Sequence, residues 1–163
     1  MLFSTATGYA LRALAALPED GSYSLAKDLA SQLDLPGPYL AKILQSLAQE
    51  GMLQSVRGPR GGFRLTRPAH RITVGEVVRV LDGMEAINGC VMGFATCMGH
   101  DRPCPLHDAW SEVKAHLDQT MSQVTIRDLQ LLDLRNHAGA RGGRTIDLTA
   151  VGPAEPASRR MAR

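Results

Sequence analysis

The sequence predicts a mainly α-helical protein with one small β-hairpin and one long helix that packs lengthwise against another helix. Three features of the 163-residue chain lead to this prediction. Residues 1–51 carry apolar side chains at helical spacing, interrupted by proline and glycine. Residues 57–62 form a glycine- and arginine-rich segment between two short strand-like runs. Residues 106–124 repeat apolar side chains in steps of four and three, which is typical of helix pairing.

Composition and charge restrict the class of protein. Hydrophobic residues make up 44% of the chain and aromatic residues 4%, so aliphatic side chains must fill the core. No run approaches the roughly 20 apolar residues that cross a membrane, and no basic lead precedes the first apolar stretch, so we expect a cytoplasmic protein. Residues 1–72 carry 8 basic and 5 acidic side chains, whereas residues 73–137 carry 5 and 9. Contact with a polyanion is therefore expected from the first region.

Three helices are predicted before residue 52. The first ends before Pro18, Ser24 is a suitable N-cap for the second, and Pro38 opens the third, which ends at Gly51. The third helix has a buried stripe made of Leu40, Ile43, Leu44 and Leu47. Its opposite face is polar, which is typical of a helix-turn-helix, although a plain three-helix core has the same pattern.

A basic hairpin follows these helices. Leu53–Val56 and Phe63–Leu65 are predicted strands, and the segment from residue 57 to residue 71 contains no acid and five arginines: Arg57, Arg60, Arg64, Arg67 and Arg71. A solvated loop is the simpler interpretation, but a basic hairpin after a helix-turn-helix is typical of a DNA-binding wing. We therefore predict a winged helix-turn-helix domain at residues 1–72. Base contacts are expected from Tyr39, Lys42 and Gln45, and phosphate or minor-groove contacts from Arg57, Arg60 and Arg64.

The region at residues 73–135 is predicted to hold a helix, a loop and a long dimerisation helix. A capping box at Thr73 and Glu76 begins the first helix, and Pro105 is expected to open the long one with Cys104 as its N-cap. The repeating apolar positions are Leu106, Trp110, Val113, Leu117, Met121 and Val124. They predict a homodimer seam, or an ordinary core face in a monomer. Thr125 and Asp128 begin a last short helix, and residues 136–163 are expected to form a disordered basic tail.

All three cysteines lie in one loop, at Cys90, Cys97 and Cys104, with six residues between successive cysteines. In a reducing compartment such a group indicates a metal or redox site, and thiolates are the usual ligands of iron-sulfur clusters. Zinc with three cysteines and a histidine is an alternative, although zinc sites normally have shorter spacings. A metal-free thiol sensor with a Cys90–Cys97 disulfide is another. A small electron-transfer protein is the alternative from a different class, but it would leave the arginine wing without a purpose.

These motifs resemble the Rrf2 family of winged-helix transcription regulators. The resemblance covers residues 1–132 and rests on the segments 8–14, 39–40, 56–65 and 72–78 and on the three cysteines. It implies a homodimeric DNA-binding regulator, expected to be a repressor and not an enzyme. Its operator affinity would depend on a 2Fe-2S or 4Fe-4S cluster that senses redox state, nitric oxide or iron-sulfur status. No membrane and no small-molecule substrate are implied.

The resemblance also suggests a fourth cluster ligand. In NsrR-like members an aspartate of the partner's first helix completes the cluster, but this sequence has Gly8 at that position and no acid in residues 1–18. IscR-like members use a histidine three residues after the third cysteine, which corresponds to His107 here, with His100 and Asp101 as other candidates. The six-residue spacing differs from the roughly five residues of familiar members, so the cluster type does not carry over.

Overall fold

A computed structural model describes residues 3–58, 61–83, 89–90 and 105–132. In chain order it contains α1 (Thr5–Ala16), α2 (Ala26–Leu33), α3 (Gly37–Gln49), β1 (Leu53–Val56), β2 (Gly62–Leu65), a 3-10 turn (Ala69–Arg71), α4 (Val74–Asp82), α5 (His107–Gln123) and α6 (Ile126–Gln130). The fold is mainly helical with one small antiparallel sheet, as the sequence predicts. The cysteine loop from residue 91 to residue 104 and the tail predicted from residue 136 lie outside the described residues.

The first three helices build one side of the core. Ser4 caps α1 by accepting a hydrogen bond from the Thr7 amide at 3.2 Å. In α3, the predicted stripe Leu40, Ile43, Leu44 and Leu47 is buried, and the opposite face is exposed. Asp34 ends α2 in a left-handed conformation, and the turn after it leads directly into α3. The helix-turn-helix geometry follows from this short connection.

Ser24 does not cap α2, contrary to the prediction from the sequence. Leu25 is the N-cap and provides no side-chain hydrogen bond. Ser24 instead pairs with Phe63 of β2: its amide donates to the Phe63 carbonyl at 3.0 Å, and its carbonyl accepts from the Phe63 amide at 2.9 Å. The backbone of Ser24 is thus hydrogen-bonded to the β-hairpin. A capping rule based on neighbouring residues does not detect this long-range pair.

Gly62 makes this pairing possible. Its φ of 129° is accessible mainly to glycine, and a Cβ at this position would lie 2.2 Å from the Ser24 carbonyl oxygen. Strands β1 and β2 pair in antiparallel register with Leu53 opposite Leu65. Together these contacts attach the β-hairpin to the connection between α1 and α2.

The core of the winged-helix domain continues past residue 72. Ile72, Val77 of α4 and Ile126 of α6 are fully buried in the same cluster as Leu14 of α1 and Leu44 of α3. The amide of Ile126 donates to the Ile72 carbonyl at 2.8 Å, so the end of the described chain returns to the first domain. The helix α6 therefore packs into the same core as the first three helices.

A second, smaller apolar cluster joins α4 to α5. Val78 and Met121 are buried in it, with Phe3, Val74 and Leu117 packed around them. Gly75 permits the close approach, because a Cβ there would meet the Met121 carbonyl oxygen at 3.3 Å. The long helix thus lies against α4 at its C-terminal end.

Both predicted capping boxes are present. Thr73 and Glu76 form the first at the start of α4, and Thr125 and Asp128 form the second at the start of α6. Glu76 also pairs with Arg67 at 2.7 Å. Partial burial raises the pKa of the Glu76 carboxyl, but hydrogen bonds from the Thr73 amide and Arg67 outweigh it and bring the pKa below its ordinary value.

We expect Glu76→Gln to destabilise the protein by about 1 kcal/mol at pH 7, since glutamine keeps the cap but loses the charged partner of Arg67. A carboxyl with a lowered folded-state pKa contributes stability above its unfolded pKa, and this contribution is lost as the pH falls through the folded value. Urea unfolding should therefore show a difference between wild type and variant at pH 7 that disappears as the pH falls through the lowered folded-state pKa of Glu76. Glu112→Gln on the exposed face of α5 is the control. A difference that persists unchanged in acid would contradict this account.

Candidate nucleic-acid interface and cysteine segment

The outer face of α3 is polar and accessible. Tyr39, Lys42 and Gln45 are all exposed, as predicted, and lie on the helix face opposite the buried leucines. The ring of Tyr39 packs edge-on against Tyr9 of α1, with 6.0 Å between ring centroids and 77° between their planes. This contact holds the start of α3 against α1 while leaving 43% of Tyr39 exposed.

A groove of ≈ 750 Å³ separates α3 from the hairpin. Gln45 lines its α3 side and Arg57 its hairpin side, so the structure brings together residues from both predicted groups of DNA contacts. Lys42 and Tyr39 lie further along the exposed face of α3. Arg60, between the two strands in sequence, lies outside the described residues.

Lys27 also lines this groove and was missed in the sequence analysis. It is the second residue of α2 and is exposed. The N-terminal end of a helix carries a partial positive charge and normally favours acidic side chains. A lysine at this position could therefore have indicated an anion-binding surface. Its positive charge is unfavourable beside the positive end of the helix dipole unless an anion is nearby.

Arg64 is placed differently from Arg57, which lines the groove. Its Nε and Nη2 donate to Oε1 of Gln54 at 2.9 Å and 2.7 Å, and its Nη1 donates to the Gly21 carbonyl at 3.4 Å. Its guanidinium carbon also lies 4.8 Å from the centre of the Tyr23 ring. The side chain is thus committed to groups of this chain.

The two ends of the cysteine segment meet at the start of α5. Gly89, next to the half-buried Cys90, accepts a hydrogen bond of 2.9 Å from the indole nitrogen of Trp110. The other end enters α5 through Pro105 and Leu106, one helical turn before Trp110. The described residues at the two ends of this segment are therefore both held beside the first turns of α5. Cys97 and Cys104 themselves lie outside the described residues.

The long helix begins later than the sequence predicts. Its first residue is His107 and its N-cap is Leu106, whereas Pro105 lies in a turn. The expectation that Pro105 opens the helix with Cys104 as its N-cap is wrong, and the reason is that Pro105 and Leu106 form a separate turn. His107 is exposed in the first turn of α5. Among the described residues no three metal-ligating side chains come together.

Only part of the predicted dimer seam is buried within the chain. Met121 is buried against α4, and Val124 follows the helix and accepts a hydrogen bond from the Val74 amide at 2.9 Å. Towards the other end of α5, Leu106 is 49% exposed and Val113 is 51% exposed. Trp110 and Leu117, between and beyond them, are half-buried. Across the described ranges, no helix has the length and apolar character needed to span a membrane.

Comparisons with known proteins agree with this arrangement. Residues 3–130 match a family model, Rrf2, described as an iron-dependent transcriptional regulator. A transcriptional regulator of the helix-turn-helix type from Aquifex aeolicus (strain VF5) is 33% identical over 132 residues, covering 79% of this chain and 91% of that protein. The regulator IscR of Klebsiella pneumoniae (strain 342) is 31% identical over 141 residues, covering 82% and 85%.

A solved structure shows the same fold. CymR, the global cysteine regulator of B. subtilis, superposes with a TM-score of 0.66 at 23% identity, covering 79% of this chain and 95% of that chain. The relatives are transcription regulators rather than enzymes. The family model matches most of the chain, and the fold contains a helix-turn-helix and a wing. This chain therefore belongs to the Rrf2 family of DNA-binding transcription regulators.

Proposed function

We propose that this protein is a homodimeric repressor whose affinity for operator DNA is controlled by an iron-sulfur cluster. The proposal of DNA binding rests on the groove between α3 and the hairpin, because polar and basic side chains from two elements lie around this one concave surface. The cluster would be held by Cys90, Cys97 and Cys104, with His107 as the fourth ligand.

The exposed face of α3 suits the major groove of DNA. Glutamine at position 45 and lysine at position 42 offer donors and an acceptor to base edges, and both are exposed without a role in the core. The ring of Tyr39 is held by Tyr9, so its hydroxyl is presented from a defined position. Base recognition is therefore assigned to α3.

The rim of the groove suits the sugar-phosphate backbone. Arg57 on the hairpin and Lys27 on α2 supply positive charge on two sides, and Arg60 at the tip would add a third. No side chain caps the first turn of α2, whose residues Leu25 and Ala26 line the same groove. Uncapped amides at a helix N-terminus are suitable donors to a phosphate oxygen.

The cluster proposal is supported by how the cysteine segment is closed. Because Gly89 and Pro105 both meet the N-terminal turn of α5, Cys90 and the end of the segment are brought to one place. A closed loop of this length can direct three thiolates inwards, and a cluster needs such convergence. His107, in the first turn of α5, lies at the same end of the helix. An iron-sulfur cluster bound there would supply redox- and nitric-oxide-reactive chemistry.

Side-chain contacts also connect this region with the DNA-binding domain. Asp82, at the end of α4 and shortly before the cysteine segment, accepts a hydrogen bond from the Ser4 amide at 3.0 Å. Burial raises the pKa of Asp82, but its bonds to Ser4 and Thr7 outweigh that effect and lower it. Helix α1 in turn contacts α3 through Tyr9 and Tyr39. A change in the segment can therefore act on the recognition helix through α1.

A second copy of this chain is the proposed partner of α5. Leu106, just before this 17-residue helix, and Val113 within it are large apolar side chains that are left about half exposed. Pairing two such helices lengthwise would cover them and place two recognition helices on two half-sites. Trp110 and Leu117 lie along the same seam, whereas Met121 is already covered by α4.

For DNA binding, Gln45→Ala should cost about 1–3 kcal/mol at the operator and leave random DNA unaffected, because it removes a base contact. Arg57→Ala should weaken binding to both DNAs and reduce the salt slope by about 0.9, because it removes a phosphate contact. Fluorescence anisotropy over a salt series would measure both, with an operator selected from a random library. Gln32→Ala, on the exposed side of α2 away from the groove, is the control. Equal losses at both DNAs for Gln45→Ala would contradict base readout.

For the cluster, Cys90→Ala should abolish visible absorbance and the iron and sulfide content of anaerobically purified protein. Helical circular dichroism should stay at the wild-type value, because Cys90 lies outside the hydrophobic core. His107→Ala should shorten the lifetime of the cluster rather than prevent its assembly, and His116→Ala on the same helix should change neither. Zinc or no metal in the wild-type protein would refute the cluster.

For the dimer, Val113→Asp should convert the protein to a monomer in analytical ultracentrifugation. Burying a valine contributes about 1.5–3 kcal/mol, and a two-fold interface contains two copies, so the dissociation constant should rise at least about 100-fold. Ala115→Asp, exposed on a different face of α5, is the matched control and should remain dimeric. If both variants stay dimeric, another surface forms the interface.

A further inference from the structure

We infer that Arg64 is a positioning residue that holds the wing in its orientation, and that it does not itself contact DNA. The inference deepens the proposed function and rests on it, because it requires the wing, here residues 53–65, to touch DNA. It also revises the expectation from the sequence, which grouped Arg64 with Arg57 and Arg60 as a DNA contact.

Strand geometry places Arg64 on the far side of the wing. Successive side chains of a strand point to opposite faces, and Gln54 lies directly opposite Arg64 in the register. Their neighbours Ser55 and Phe63 line the groove beside α3. Gln54 and Arg64 instead line a separate cavity of ≈ 720 Å³ on the other side of the hairpin. The guanidinium therefore points away from the surface proposed for DNA.

The contacts of Arg64 join three parts of the chain. Its two hydrogen bonds to Gln54 brace β1 against β2, and its bond to the Gly21 carbonyl and its packing on Tyr23 attach both strands to the connection between α1 and α2. Each guanidinium nitrogen has a protein partner. The planar fork of arginine is required for this arrangement, because lysine offers a single point charge and cannot bond Gln54 through two nitrogens.

These contacts of Arg64 also bear on the orientation of the wing. Besides Arg64, the described hairpin is attached to the α1–α2 connection by the backbone pair between Ser24 and Phe63. This pair lies at one position of β2, where Phe63 and Leu65 also pack against the core. Arg64 adds a second point of attachment at Gly21 and Tyr23, on the other face of the hairpin. Two points define the direction in which Arg57 is presented.

The test compares the salt dependence of binding to a random-sequence duplex for Arg64→Ala, Arg64→Lys and Tyr23→Leu. If Arg64 acts by positioning, all three should reduce the slope by a similar amount, about 0.9 for each wing phosphate contact that is lost. Tyr23→Leu is the most informative variant, because it removes no charge and can lower the slope only by moving charged residues. Arg71→Ala, exposed and outside the contacts of Arg64, gives the baseline for loss of one positive charge.

Two other sets of salt slopes would overturn the inference. If Arg64→Lys and Tyr23→Leu keep the wild-type slope while Arg64→Ala and Arg57→Ala lower it, Arg64 is a phosphate contact and the inference is overturned. If Arg57→Ala also keeps the wild-type slope, the wing does not contact the backbone, and the proposed docking is overturned together with the inference. Thermal unfolding of each variant by circular dichroism identifies any loss of folding, and Arg64→Lys provides the conservative replacement if Arg64→Ala is unstable.

Discussion

The close contact between Gly62 and the carbonyl of Ser24 is the constraint on which the proposed DNA-binding surface depends. A side chain at position 62 would collide with that oxygen, so only glycine lets β2 pair with the segment before α2. This pairing places the hairpin beside the first turn of α2, and α3 follows α2 after a short turn. The groove between α3 and the wing exists because these three elements are joined at this point.

After the long helix α5, the chain returns to the core built by its first three helices. Ile126 is fully buried beside helices formed more than 70 residues earlier, and its amide is bonded to Ile72. Both ends of α5 are thereby attached to other parts of the chain, since Trp110 holds Gly89 at one end and Met121 packs on Val78 near the other. The helix α5 therefore connects Gly89, beside Cys90, to α4.

Polar contacts at helix ends join the same elements. Glu76 starts α4 and holds Arg67 after the wing, and Asp82 ends α4 and holds the amide of Ser4 at the start of α1. Both carboxyls have pKa values below the ordinary ones, because the hydrogen bonds they accept outweigh their partial burial. Their charge persists at neutral pH, so α4 remains tied to the segment after the wing on one side and to α1 on the other.

The sequence by itself determined the features that depend on neighbouring residues. The buried stripe of α3, the two capping boxes and the strands follow from patterns among a few neighbouring residues, so local rules identify them. Only the tertiary structure decided the roles of Ser24, Arg64 and Ile126, whose partners lie 39, 43 and 54 residues away in sequence. Local patterns describe Ser24 as a helix cap and Arg64 as one more basic wing residue, because hydrogen bonds between distant segments leave no periodic trace in the chain.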